Sequence, residues 1–233
     1  MSWRTPRTWL RFVLPAPTDE QSRARLSVLR DAAIEDPAVA IDSVVKEQLS
    51  LAQRLPEYLD DVREETRGDS GRGARALHNS TVAALKEVDR ITNQLTRRGD
   101  NPARSLELSR TAERTELLRA LSDSVCELTE TIRRAGQSGP LGTLTGNMAE
   151  GLHAVLLAAA DAMASPDEAN LELLHHLTAD RGEVMEGIRR SLLRGEQTLT
   201  IDEHQALFTS TSLFERIVRL LRRLQSLLAA PPP

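Results

Sequence analysis

Apolar residues recur along this chain at the three-to-four-residue spacing that places them on one face of an α-helix. The stretch 207–228 shows this most clearly, with one apolar stripe made of Leu213, Ile217, Leu220, Leu221, Leu224, Leu227 and Leu228. Similar stripes predict six long helices, at 37–65, 74–97, 103–134, 142–164, 166–194 and 201–229. Runs of β-branched and aromatic residues are absent, so the pattern predicts an all-α fold with no β-sheet.

Residues that cap or break helices support these boundaries. The pair 36–37 (Asp-Pro) offers an N-cap followed by proline at the first helical position. The segment 200–203 (Thr-Ile-Asp-Glu) has the spacing of a capping box, and 165–168 (Ser-Pro-Asp-Glu) adds the glutamate of another. Pro56 lies inside the first predicted helix and should kink it, because proline has no N–H to donate.

The last helix has a fainter copy of its pattern upstream. When Glu215 is aligned with Glu116, further residues pair as well: Ile217 with Leu118, Leu220 with Leu121, Leu224 with Val125, and Leu227 with Leu128. We interpret this repeat as two tandem three-helix bundles, since three antiparallel helices can bury one another's stripes. The predicted organisation is a leader and lead-in segment at 1–35, a first bundle at 36–135, a linker at 136–141, a second bundle at 142–229 and a proline tail at 230–233.

Composition narrows the class of protein. The 233 residues are 40% hydrophobic but only 3% aromatic, which suits a core of aliphatic side chains between helices. The net charge of −4 comes from interleaved cations and anions, so nothing indicates a nucleic-acid partner. A single cysteine, Cys126, excludes an internal disulfide and fits a reducing compartment. No stretch approaches the ~20 apolar residues of a membrane-spanning helix.

The N-terminal segment combines aromatic and cationic residues, as side chains at a membrane interface do. The residues concerned are Trp3, Arg4, Arg7, Trp9, Arg11 and Phe12. The alternatives are a disordered leader or a tail packed on the bundle. If the interfacial interpretation holds, this segment contacts an anionic membrane surface.

Two Glu-x-x-His pairs invite a metal hypothesis: Glu150 with His153, and Glu172 with His175. In di-iron carboxylate bundles, two helices each supply such a pair. However, the two pairs fall on adjacent predicted helices, and Glu150 projects away from the apolar stripe of its own. We therefore expect helix-surface residues rather than metal ligands, and we predict no catalytic residues and no cofactor.

Arginines line one side of the last helix. Arg216, Arg219 and Arg223 follow helical spacing, with Arg222 beside them. Cations near a helix C-terminus complement its dipole, and many such stripes are solvated faces. The functional alternative is a docking surface for an acidic partner or an anionic membrane.

Several segments resemble the PhoU family, and more closely the PhoU-like cytoplasmic domain of bacterial sodium/phosphate cotransporters. The first helix is similar in 36–41 (Asp-Pro-Ala-Val-Ala-Ile), followed by Lys46-Glu47 and Leu51-Ala52. The second is similar in 85–91 (Leu-Lys-Glu-Val-Asp-Arg-Ile), and the last in 214–217 (Phe-Glu-Arg-Ile). The resemblance covers most of 24–229 and implies tandem three-helix bundles.

The chain departs from this family at its metal-binding positions. PhoU proteins carry a Glu/Asp-x-x-x-Asp pair in each bundle, whose carboxylates share one helix face and can hold metal clusters. Here Glu215 is followed four residues later by Arg219, and Glu116 by Ala120. Because a cation at a ligand position repels a metal ion, the family's metal binding should not be carried over to these positions.

The resemblance implies a non-enzymatic protein that regulates or associates with a membrane phosphate transport system from the cytoplasmic side. Its expected partner is a sodium/phosphate transporter or that transporter's transmembrane domain, and a homodimer is the further alternative. We expect a cytoplasmic protein, peripheral on the inner face of the cell membrane. The alternatives are a di-metal carboxylate enzyme using the Glu-x-x-His pairs, or a generic helical adaptor unrelated to phosphate.

Overall fold

The computed structural model of the chain describes residues 36–63, 73–98, 102–135, 139–179, 187, 190 and 200–230. All regular elements with assigned bounds in these ranges are helical, which confirms the all-α prediction. In chain order they are α1 (Pro37–Arg54), a 3-10 helix (Leu55–Leu59), α2 (Asp60–Arg63), α3 (Ala74–Arg98), α4 (Pro102–Ala135), α5 (Gly139–Ala164), α6 (Glu168–Leu177) and α7 (Ile201–Ala229).

Two of the predicted helix starts are confirmed in detail. Asp36 caps α1, its Oδ1 accepting from the backbone N–H of Ala38 at 2.8 Å. At α7, the Thr200 hydroxyl accepts from the Glu203 N–H at 3.2 Å, and the Glu203 carboxylate accepts from the Thr200 N–H at 2.7 Å. These reciprocal bonds satisfy donors that the first turn of a helix leaves free.

At Pro56, where a kink within one helix was expected, the structure has a separate 3-10 helix. The helix expected at 37–65 instead consists of α1, the 3-10 helix and α2, and the proline lies in the first turn of the 3-10 helix. Proline has no N–H to donate to the backbone hydrogen bonds of an α-helix. The backbone therefore adopts the tighter 3-10 geometry at this point.

Other boundaries differ from prediction. The helix expected at 166–194 begins at Glu168, because Asp167 rather than Ser165 is its N-cap, and it ends at Leu177. The linker expected at 136–141 is shorter, since α5 begins at Gly139, whose φ of +72° is readily adopted only by glycine. The leader at 1–35 and the three terminal prolines lie outside the described residues.

One large buried cluster draws side chains from α1 through α7. Within it, Leu118 and Val125 of α4 and their repeat partners Ile217 and Leu224 of α7 are all buried. This agrees with the apolar phase read from the sequence. The same cluster joins helices of both predicted halves, and the division into two three-helix bundles stays a prediction.

A hydrogen-bonded chain of side chains crosses the core near the 3-10 helix. The hydroxyl of Tyr58, which is fully buried, donates to Thr81 Oγ1 at 2.8 Å and lies 3.0 Å from Ser122 Oγ. Ser122 Oγ also lies 3.0 Å from His78 Nδ1, and His78 Nε2 is 3.6 Å from Asp123 Oδ1. This chain connects the interior to the exposed side of α4.

We expect the fold to lose stability in alkali because of Tyr58. Burial raises the pKa of its phenol from 10.0 to about 12, so the folded state favours the neutral form. The resulting contribution to the free energy of unfolding is complete below pH 10 and disappears as the pH rises through about 12, a loss of about 3 kcal/mol. Denaturant unfolding across this range should show the loss, and Tyr58→Phe should remove that part of it. Tyr58 is the only tyrosine, so tyrosinate absorbance should rise near pH 12 in the folded protein; a midpoint near pH 10 would contradict the prediction.

Candidate functional site

Helix α7 divides into a buried and an exposed side. Ile217, Leu221 and Leu224 are buried in the main core. The opposite side carries exposed polar and charged residues at helical spacing: Ser212, Arg216, Arg219, Arg223 and Ser226. The helix therefore holds the core together while it presents arginines to solvent.

Arg222 has a role inside the fold. It is partly buried, and its Nε and Nη2 donate to the carbonyl oxygen of Thr178 at 3.0 and 2.5 Å. Thr178 is the C-cap of α6, where helical carbonyls lack partners within the helix. To bind a partner as predicted through Nε and Nη2, Arg222 would have to give up these hydrogen bonds to Thr178.

Arg223 forms an ion pair across the helix packing. Its Nη2 lies 2.8 Å from Glu113 Oε1 of α4, with the two side chains 65% and 41% exposed. Solvent-exposed pairs contribute little, about 0–1 kcal/mol. Arg223 can therefore exchange Glu113 for another carboxylate at small cost.

Arg216 and Arg219 differ from these two. Both are exposed, and neither forms an ion pair with any residue in the described ranges. They lie three positions apart, so their guanidinium groups share one side of the helix. Phe208 lies two turns earlier on that side and is 47% exposed. We define Phe208, Arg216 and Arg219 as the α7 face: two cations free to bind carboxylate or phosphate groups, beside one exposed ring.

Of the metal candidates, Glu150 accepts hydrogen bonds from an arginine. Its two carboxylate oxygens accept from Arg63 Nε and Nη2 at 3.0 and 2.9 Å. The hydrogen bond to Arg63 lowers the pKa of Glu150. His153, one turn along, is partly buried, and this burial lowers its pKa. The structure therefore assigns Glu150 an arginine partner.

In the second candidate pair, the glutamate contacts the neighbouring histidine. Glu172 Oε1 lies 3.5 Å from Nε2 of His176, the residue after His175. Across the described ranges, no group of three or more His, Cys, Asp or Glu side chains could hold a metal ion. Glu116 Oε1 lies 3.7 Å from Arg119 Nε.

The N-terminal candidates lie outside the described residues, so their interfacial role stays a prediction: Trp3, Arg4, Arg7, Trp9, Arg11 and Phe12. In the part of the chain that the structure describes, no helix is both long and apolar enough to cross a membrane. Sequence reasoning missed Glu113 and Thr178 as arginine partners. Neither is near the arginines in sequence, so periodicity carried no signal for them.

No family model, curated protein or solved structure matches the chain.

Removing the guanidinium of Arg222 should destabilise the fold more than removing that of Arg223. Arg222→Gln loses charged hydrogen bonds to the buried Thr178, so we expect a loss of about 1–2 kcal/mol in the free energy of unfolding. Arg223→Gln is the matched control, with an expected change below about 0.5 kcal/mol. Chemical denaturation of both variants checks this, and equal losses would contradict the assigned capping role.

Proposed function

We propose that this protein is a non-catalytic, PhoU-like helical protein that associates with a membrane sodium/phosphate transport system from the cytoplasmic side and regulates it. The α7 face is its docking surface. The partner surface is acidic, either a cytoplasmic segment of the transporter or its transmembrane domain's inner edge. The chain supplies binding, and the partner supplies the transport path.

One observation carries the proposal: Arg216 and Arg219 are exposed side by side without an ion pair to any described residue. Exposed guanidinium groups in this arrangement suit acidic partners and speed their association through long-range attraction. The resemblance supports the partner's identity, because the PhoU-like segment 214–217 lies in this helix. Its Phe214 and Ile217 are buried, whereas Arg216 points outward.

The N-terminal segment is proposed as a second, interfacial contact. Its aromatic and cationic residues at 3–12 would lie in the headgroup region of an anionic membrane. Together with the α7 face, this segment would hold the protein on the inner membrane surface.

Affinity capture from native membranes tests both contacts. The tagged full-length chain should recover a phosphate transporter, and a chain lacking residues 1–17 should recover less of it. Equal recovery without the leader would remove the leader's anchoring role. A partner set containing only proteins without membrane spans would refute the proposed association.

Metal analysis separates this proposal from the di-metal enzyme. Purified protein should carry no stoichiometric iron or zinc. Bound metal that is lost in His153→Ala and His175→Ala would instead favour the enzyme, because those changes remove the imidazole ligands that such a site needs.

A further inference from the structure

Where α1 packs against α4, a guanidinium group lies without an adequate acceptor among the residues that the structure describes. Arg114 of α4 is partly buried, and its Nη1 reaches only Gln48 Oε1 of α1, at 3.5 Å. This distance is at the limit for a hydrogen bond. The Nε of Arg114 is buried and makes no hydrogen bond to any described residue. Burial lowers the pKa of Arg114, with no described carboxylate opposing the effect.

The polar groups around Arg114 form hydrogen bonds with one another. Gln48 is fully buried, and its Nε2 donates to the Thr111 carbonyl oxygen and to Thr115 Oγ1, both at 2.8 Å. A carbonyl oxygen can only accept, so this contact fixes the amide with Oε1 towards Arg114. The Thr115 hydroxyl donates to the Thr111 carbonyl oxygen at 2.9 Å. The edge formed by Nε and Nη2 of Arg114 therefore lacks an acceptor among the described residues.

N–H donors that lack an acceptor lower the stability of the folded state. A buried N–H donor without an acceptor is destabilising, because water no longer solvates it. Buried donors in native proteins nearly always have an acceptor, and an exception indicates a bound ion or water. The donors Nε–H and Nη2–H point in parallel, which matches two oxygens of one anion.

We propose that Arg114 is the centre of an anion-binding site between α1 and α4 that takes a small inorganic oxyanion of the phosphate or sulfate type. Nε and Nη2 donate to two of its oxygens, and Gln48 holds the guanidinium in place through Nη1. The site uses none of the residues in the α7 face. Its test is therefore independent of the proposed transporter association.

Equilibrium dialysis with labelled inorganic phosphate tests the site at constant ionic strength, with chloride as the balancing anion. The full chain should bind phosphate saturably at one site, and Arg114→Gln should weaken this binding at least ~10-fold. Arg97→Gln removes an exposed arginine from α3 and should leave phosphate binding unchanged. Sulfate should compete with phosphate, because the two anions share tetrahedral oxygen geometry.

A second variant keeps the arginine but supplies an internal anion. Gln48→Glu places a carboxylate beside Arg114 and should also weaken phosphate binding at least ~10-fold. It decides the question if Arg114→Gln does not fold. Absence of saturable phosphate binding, or full binding in either folded variant, would overturn the proposal and assign the unfilled Nε to a bound water.

Discussion

Reversing the charges of Arg216 and Arg219 together is expected to weaken binding to the proposed membrane partner by about 100-fold. A close charge pair at an interface contributes about 1.5 kcal/mol at the low end of the known range, and each 1.4 kcal/mol is a factor of ten. The double variant Arg216→Glu/Arg219→Glu also places acidic groups against the acidic surface proposed for the partner. Both side chains are exposed and lack ion pairs in the described structure, so the fold should be unaffected.

The matched control reverses two exposed cations on another helix. Lys86 and Arg97 of α3 are both exposed and lie on one side of that helix. Lys86→Glu/Arg97→Glu changes the net charge by the same amount and should bind within about twofold of the parent chain. Binding to partner-containing vesicles, measured at two salt concentrations, compares them. Equal weakening in the two double variants would show a general charge effect and no docking surface on α7.

Removing the side chain of Leu221 is expected to cost about 2–5 kcal/mol in the free energy of unfolding. Leu221 is fully buried in the main cluster on the inner side of α7. Leu221→Ala loses apolar burial and leaves a cavity that the packed helices cannot fill completely. A loss of this size is a large fraction of the stability of an ordinary domain.

Ile201 at the start of the same helix is the control, since it is 86% exposed. Ile201→Ala should change the free energy of unfolding by less than about 0.5 kcal/mol. Urea unfolding followed by circular dichroism measures both variants. Similar small losses in both variants would show that α7 is not part of the core. Under conditions in which it is folded, Leu221→Ala should still bind the proposed partner.

Local patterns in the sequence were sufficient to predict most helix starts. The caps at Asp36 and Thr200 are formed by neighbouring residues, so their chemistry is visible in a few letters. The end of α6 could not be predicted in this way. It is capped by Arg222, which lies far along the chain and arrives only when α6 and α7 pack. Tertiary contacts of this kind leave no periodic signal.

In the candidate site, too, the sequence predicted the local pattern of residues but not their tertiary contacts. In sequence, Arg216, Arg219, Arg222 and Arg223 form one cationic stripe, but the fold gives them different partners. Arg222 turns inward and Arg223 meets Glu113, so only two of the four are exposed without ion pairs to described residues. Arg114 gave no signal, because nothing near it in sequence shows that its guanidinium would be buried beside Gln48.

Site-specific crosslinking in native membranes tests the central claim most directly. A photoreactive side chain at Ser212, an exposed position between Phe208 and Arg216 on α7, should crosslink to a phosphate transporter. The same group at Asn93, exposed on α3, should not. Crosslinking to the transporter from Ser212 alone is the predicted result. Equal crosslinking from both positions, or transporter crosslinks from Asn93 alone, would contradict the assignment of the α7 face as the docking surface.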